Sequence, residues 1–467
     1  MQNTAARIAS ASASLIVFSL IIVLGLTAPC PAQAASFTPG NLVLLQMGTG
    51  SNILFRLTAA CFLTEYTTNG TMVQSIPVPT AASGGNFPLT LPFETFSGYS
   101  RDGILKRSLD RRYLTFGGYG VNPGFLDPAA SNAMIVSRVV GRVSSDGNMN
   151  TTTALTNFPS ATPFPSPNPY YLPHPIVSVA STDGTHIWLG GADSTPTSAQ
   201  SGVAYTTLGS RTCTALASNR FTRVVNIHNN QLYVSAQATP TLGVAMVGTG
   251  LPTAAIGGAP SLLPGFPSSG THSSYDFWFK DDTTLYVADY GSAANGGGIQ
   301  KWGYSAGQWL LQYILLNNGS SNIPAYALTG TVDGNGNAVL YVTTGANYDN
   351  KLITVTDTGA DAMPTVIADA PTNTAFRGVD FAPVAAIGGP KITAVSITGD
   401  NLRLDWETTG GTTNFVQARG SLSSDSFSDI SNPIYIPGTG PATTNFTEPN
   451  GANNPTRYYQ IRSVKEE

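Results

Sequence analysis

Three short stretches constrain this chain more than anything else in it. "QLYVSA" (residues 231–236), "TLYVAD" (284–289) and "VLYVTT" (339–344) are variants of one pattern, and "HIWLGG" (186–191) and "RYLTFGG" (112–118) are looser copies. Each alternates apolar and polar positions and is rich in β-branched and aromatic residues, as strands are. The copies start near 113, 187, 232, 285 and 340, with spacings of 74, 45, 53 and 55 residues. Such a period belongs to four-stranded propeller blades carrying loop insertions.

The flanks repeat too. An apolar run ending in a turn precedes each copy, beginning near 98, 176, 222, 274 and 325, and a sixth begins near 376. Pairs such as Asp102-Gly103, Asp183-Gly184, Asn229-Asn230 and Asp281-Asp282 suit two-residue hairpin turns, in which positive φ is required or tolerated. Two further strands follow each copy. The run at 376 lacks its own followers, because Pro383 and a Gly/Pro segment come next. The N-terminus supplies the missing parts in "NLVLLQMG" (41–48) and "FLTEYTTNGTMVQSIPVP" (62–79). This bookkeeping predicts an all-β propeller of six blades, with seven as the alternative. Three N-terminal strands pairing with one C-terminal strand would close it and remove its exposed edges.

Residues 37–385 resemble secreted bacterial propellers of the NHL and YVTN type. The resemblance is strongest in "LYVADYGSAANGGGIQKW" (285–302), where "LYVAD" and "GIQKW" occupy the matching places. It implies a propeller fold. It brings no catalytic set, because the motif residues of such repeats are mostly structural.

Residues 1–34 read as a secretion signal. Arg7 is the basic start, residues 15–26 form a 12-residue apolar core, and Ala32-Gln33-Ala34 is a small-x-small cleavage pattern. The apolar run is short for a membrane span. Pro29 before Cys30 does not fit a lipoprotein site. These features imply a secreted or cell-surface protein, with the periplasm as the alternative. Residues 35–385 are then the propeller and 386–467 a second module beyond the segment 383–390. "KITAVSITGDNLRLDWE" (391–407), "NFVQARGSLSSDSFSDI" (414–430) and "RYYQIRSV" (457–464) read as the strands of a small sandwich around Trp406, Tyr458 and Tyr459. They resemble a fibronectin type III-like module.

Only 10% of residues are charged and the net charge is −4, so the basic stripe that a nucleic-acid partner requires is missing. Of three cysteines, Cys61 and Cys213 lie beyond the signal segment. The strand order sets them one blade apart, too far for a disulfide. The four histidines, His174, His186, His228 and His272, form no ligand pair. "DGNMN" (146–150) and "DGNGN" (333–337) imitate the start of a calcium loop, but Thr151 and Ala338 stand where its glycine belongs. They are hairpin turns. No nucleophile elbow, phosphate loop or zinc motif occurs. No metal, cofactor or catalytic residue is assigned.

The long loops of one face remain. They carry Tyr119, Tyr170, Tyr171, Tyr290 and Tyr348 together with Asp193, Asp289 and Asp349. Aromatic rings with a few polar partners suit stacking on sugars or apolar groups; the alternative is that the rings pack their own proline-rich loops. The expectation is a monomeric binding protein for a carbohydrate or a cell-surface protein. The competing expectation is a propeller hydrolase or lyase acting on a carbohydrate or lactone.

Overall fold

The computed structural model describes residues 35–467 apart from 53–54, 94–101, 159–174, 192–201, 219–221, 239–240, 346–348, 386–388, 422–425, 439–440, 455 and 466–467. Among the described residues there is no α-helix, and none of the helical turns is long and apolar enough to cross a membrane.

Six antiparallel sheets of four strands carry the repeat, in the manner of propeller blades. Sheet I contains Lys106–Arg107, Tyr113–Tyr119, Arg138–Ser144 and Met149–Leu155; sheet II contains Ser178–Ser181, His186–Gly191, Gly202–Thr207 and Thr214–Ser218. Sheet III contains Thr222–His228, Gln231–Ala238, Thr241–Met246 and Ser261–Leu262; sheet IV contains Ser274–Asp281, Thr284–Asp289, Gly298–Ser305 and Gln308–Leu315. Sheet V contains Ala325–Val332, Ala338–Thr344, Lys351–Thr356 and Thr365–Asp369. Sheet VI pairs Ala375–Phe381 with Leu42–Met47, followed by Cys61–Tyr66 and Met72–Pro77; Leu44 lies opposite Val379.

The "LYV" strands are second in their sheets and apolar on both faces, because each sheet is covered on both sides by its neighbours. Ile187 and Leu189 of sheet II share a cluster with Val140 of sheet I. Trp188 shares another with Val225 and Val234 of sheet III. Tyr286 and Ala288 of sheet IV meet Leu340 and Val342 of sheet V. A fully buried side chain of this size contributes roughly 1.5–3 kcal/mol relative to exposure. The first strands touch in succession from sheet I to sheet VI, and that of sheet VI touches that of sheet I. At this last contact Gly378 donates its N–H to the Gly103 carbonyl at 3.0 Å. A Cβ on Gly378 would stand 2.0 Å from the Leu105 nitrogen, so only glycine fits.

Sheet I corrects one expectation. Its first strand among the described residues is Lys106–Arg107, paired with Thr115 and Leu114, not the stretch ending at Asp102-Gly103. The hairpin turn lies at Asp110 and Arg111, and Arg111 takes φ 65°. Asp102 is buried and accepts a hydrogen bond from the Tyr119 hydroxyl. Local chemistry permits an Asp-Gly turn there. A buried phenol partner on the next strand decides otherwise.

The C-terminal residues form two further sheets. One orders Lys391–Thr398, Asn401–Thr409 and Pro441–Glu448. The other centres on Thr412–Arg419, with Tyr458–Lys465 on one edge and Ser428–Asp429 and Ile434–Ile436 on the other. Both contribute to one cluster around fully buried Trp406, whose indole N–H donates to Asn414 Oδ1 at 2.8 Å.

Candidate functional site

The six first strands converge, and the two ends of that convergence differ. At the end where the strands begin, Val224, Tyr275, Tyr326 and Phe376 of the first strands of sheets III to VI belong to one cluster with Ile104 and Val177, which lie just before those of sheets I and II. Tyr290, in the insertion after "LYVAD", joins them. Its ring stacks on Tyr326 with centroids 4.9 Å apart and meets Tyr275 edge-on at 5.7 Å. Its hydroxyl donates to Gln237 Oε1 at 3.3 Å, which also accepts from Arg223 Nε at 3.1 Å. The Gln237 amide donates onward to the Ser274 carbonyl at 2.8 Å.

Asp289 lies beneath this insertion, fully buried. Its carboxylate accepts from the Gly291 and Ser273 N–H groups, both at 2.8 Å, and from the Gln300 amide at 3.2 Å. Burial pushes this carboxyl up to about 7, outweighing the two backbone donors. His272 sits alongside with Nδ1 buried and without a partner, and burial lowers its pKa.

The other sequence-selected residues do not gather here as a set. Tyr119 is buried in sheet I; its hydroxyl is held by Asp102 and its ring lies 5.4 Å from the Arg138 guanidinium. Burial, reinforced by Asp102, raises its pKa. Asp349 is exposed at φ 54° and accepts from the Asn373 N–H at 2.8 Å, fastening a turn. Tyr170, Tyr171, Asp193 and Tyr348 lie outside the described residues. Both imitation calcium loops are hairpin turns whose first aspartate, Asp146 or Asp333, caps the turn's own N–H groups. Cys61 and Cys213 are free thiols that burial pushes up to about 12.

At the end where the first strands finish lies a cavity of about 260 Å³ that the repeat pattern did not reveal. Lys106 lies at its edge, 2.6 Å from Asp276, and both are almost wholly buried. Asp276 also accepts from the Leu328 N–H at 2.9 Å and the Phe277 N–H at 2.7 Å. Burial raises the Asp276 pKa, and Lys106 opposes that rise. Asp380 accepts from the Thr329 hydroxyl at 3.0 Å and from the Phe381 and Arg107 N–H groups, each at 2.7 Å. The signal for these residues was an acid inside an apolar strand, in "YDFWF" (275–279) and "VDF" (379–381).

The chemistry follows from the partners. Asp276 and Asp380 are committed to a cation and to backbone donors, so neither is placed as a proton donor. Among the described residues no three His, Cys, Asp or Glu side chains group as a metal centre requires. The beginning end holds stacked phenol rings and the Gln237 amide, backed by the buried Arg223 guanidinium.

No family model matches the chain, and no curated protein matches its sequence. Solved structures do. The extracellular domain of a one-component system from B. thetaiotaomicron is 13% identical, over 80% of this chain and 45% of that one, with a TM-score of 0.33. A bifunctional GH43-CE protein of Bacteroides eggerthii is 10% identical, over 82% of this chain and 54% of that one, at 0.32. Apo AztD from Citrobacter koseri is 9% identical, over 87% of this chain and 98% of that one, at 0.29. The chain thus spans about half the length of the first two. Likeness at this level speaks neither to activity nor to ligand.

Proposed function

We propose that this chain is an exported binding protein whose platform is a closed six-bladed propeller at 35–385, followed by a fibronectin type III-like sandwich at 386–467, and that residues 1–34 are its secretion signal. The observation that carries binding over catalysis is Tyr290 stacked on Tyr326 beside Gln237 and Arg223. A half-buried ring and a half-buried amide, held in place by the buried Arg223, suit a sugar face and its hydroxyls. Tyr170, Tyr171, Asp193 and Tyr348 remain proposed contacts on sequence grounds. Six blades and closure are supported by the succession of first-strand contacts and by the pairing of Ala375–Phe381 with Leu42–Met47.

The test is a glycan array with the exported chain, repeated with Tyr290→Ala and accompanied by a metal analysis. Binding of one glycan class that the variant loses supports the reading. Turnover of a glycan or lactone with unchanged turnover in Tyr290→Ala overturns it in favour of the hydrolase or lyase. Closure has its own test. A chain lacking residues 35–80 should lose its cooperative unfolding transition, and an unaltered transition would refute the closing role of the N-terminal strands.

A further inference from the structure

We propose that the cavity where the first strands finish is a second binding site, specific for a small oxyanion-bearing molecule and centred on Arg107 and Arg111. Both guanidinium-bearing residues line it, with Lys106 and His228, against Asp380 as the facing acid. Lys106 is occupied by Asp276, and His228 Nε2 lies 2.9 Å from Asp282, so neither is uncommitted. The two arginines are different. Arg107 has one side-chain hydrogen bond among the described residues, a long one of 3.4 Å to the Ala382 carbonyl, and lies 5.5 Å from the Phe381 ring. Asp380 accepts from the Arg107 backbone N–H, not from its guanidinium. Arg111 donates no side-chain hydrogen bond to any described residue, and its backbone is held in the left-handed region at φ 65°.

A guanidinium has five N–H donors in a planar fork that matches carboxylate, phosphate or sulfate. Arg107 is half-buried there, so leaving its donors without partners is unfavourable, while Arg111 is exposed at the mouth of the cavity. Burial, and repulsion from Arg111, both lower the Arg107 pKa, while Asp380 offsets only part of this. An oxyanion held by Arg107, with Arg111 at the mouth, would satisfy the half-buried fork and offset the repulsion between the two. Trp278 and Phe279 wall the cavity, and its size is near the low end of ligand pockets. A ring carrying one acidic group, such as an acidic monosaccharide, therefore suits it better than a polymer. This site is separate from the Tyr290 end, so either can fail without the other.

The experiment titrates the exported full chain at low ionic strength with glucuronate, glucose, phosphate and sulfate, read by calorimetry. Arg111→Gly is the decisive variant, because it removes the guanidinium while glycine accepts the positive φ without strain. Arg111→Lys keeps the charge but loses the fork. Expected is binding of glucuronate but not glucose, weakened roughly tenfold or more in Arg111→Gly and less in Arg111→Lys. Phosphate or sulfate binding with the same loss supports the oxyanion site and rejects the sugar ring as its ligand. Binding unchanged in Arg111→Gly, or no binding of any of the three anions by the wild type, overturns the proposal. Tyr290→Ala serves as the control and should leave this titration unaltered.

Discussion

The two ends of the strand convergence are built from equivalent positions of the same repeat, yet one is filled with rings and the other with charges. At the beginning end Tyr275, Tyr326 and Phe376 pack the space themselves, with half-buried Tyr290 against them. At the finishing end Lys106, Arg107 and Asp380 line a cavity, with Asp276 paired to Lys106 behind it. Apolar groups at a crowded junction fill it and gain by losing water. Charged groups there must first satisfy one another, which fixes their geometry and leaves gaps. A repeat scaffold can thus be packed with rings at one end and keep a charged cavity at the other without any change in strand order.

The contrast can be broken, and the largest effect should come from the charged end. Asp276→Ala leaves the buried Lys106 ammonium alone and should destabilise by about 3–5 kcal/mol in urea unfolding. The pair Lys106→Met with Asp276→Leu should recover much of that. An equally unstable double variant would mean that packing, not charge pairing, governs this end. Tyr275→Ala removes a fully buried ring at the other end and should cost about 3–4 kcal/mol by the same measurement. Gly378→Ala tests the junction between sheets VI and I, where the new methyl meets backbone; roughly 2–3 kcal/mol is expected. A neutral result would separate the two sheets.

Asp289 gives the beginning end a pH signature. Its carboxyl stands near 7 in the folded chain, above the ordinary 3.8. The folded state therefore holds this proton more tightly than the unfolded chain. The resulting stability is complete below pH 3.8 and is lost as pH rises through about 7. Thermal melts should show that decline in the wild type and not in Asp289→Asn, and a carboxyl NMR titration should give a midpoint near 7. A midpoint at the ordinary value would show that the backbone donors outweigh burial. The smallest effect is Tyr290→Phe, which removes only the bond to Gln237 and should change stability by about 1 kcal/mol or less. A larger loss would make the hydroxyl, not the stack, the anchor of this end.

Much of the scaffold was legible in the chain. Strand spacing, the polar turns and the odd sixth run at 376 all rest on local alternation, which depends only on which faces a strand buries. The turn of sheet I was not legible, because Asp102-Gly103 and Asp110-Arg111 are both acceptable turns and only burial beneath Tyr119 separates them. Of the candidate site, Tyr290 and Asp289 could be placed from the insertion after "LYVAD". Lys106, Asp276 and Asp380 could not be grouped, since they are far apart in the chain and share no motif.

What the sequence by itself determined is the repeating unit, four strands with an apolar second strand, because that pattern is set by near neighbours. Tertiary structure alone decided which end of the convergence is packed with rings and which keeps a cavity. That outcome depends on what six first strands, distant along the chain, bring to one line: rings that fill it, or charges that must pair across it.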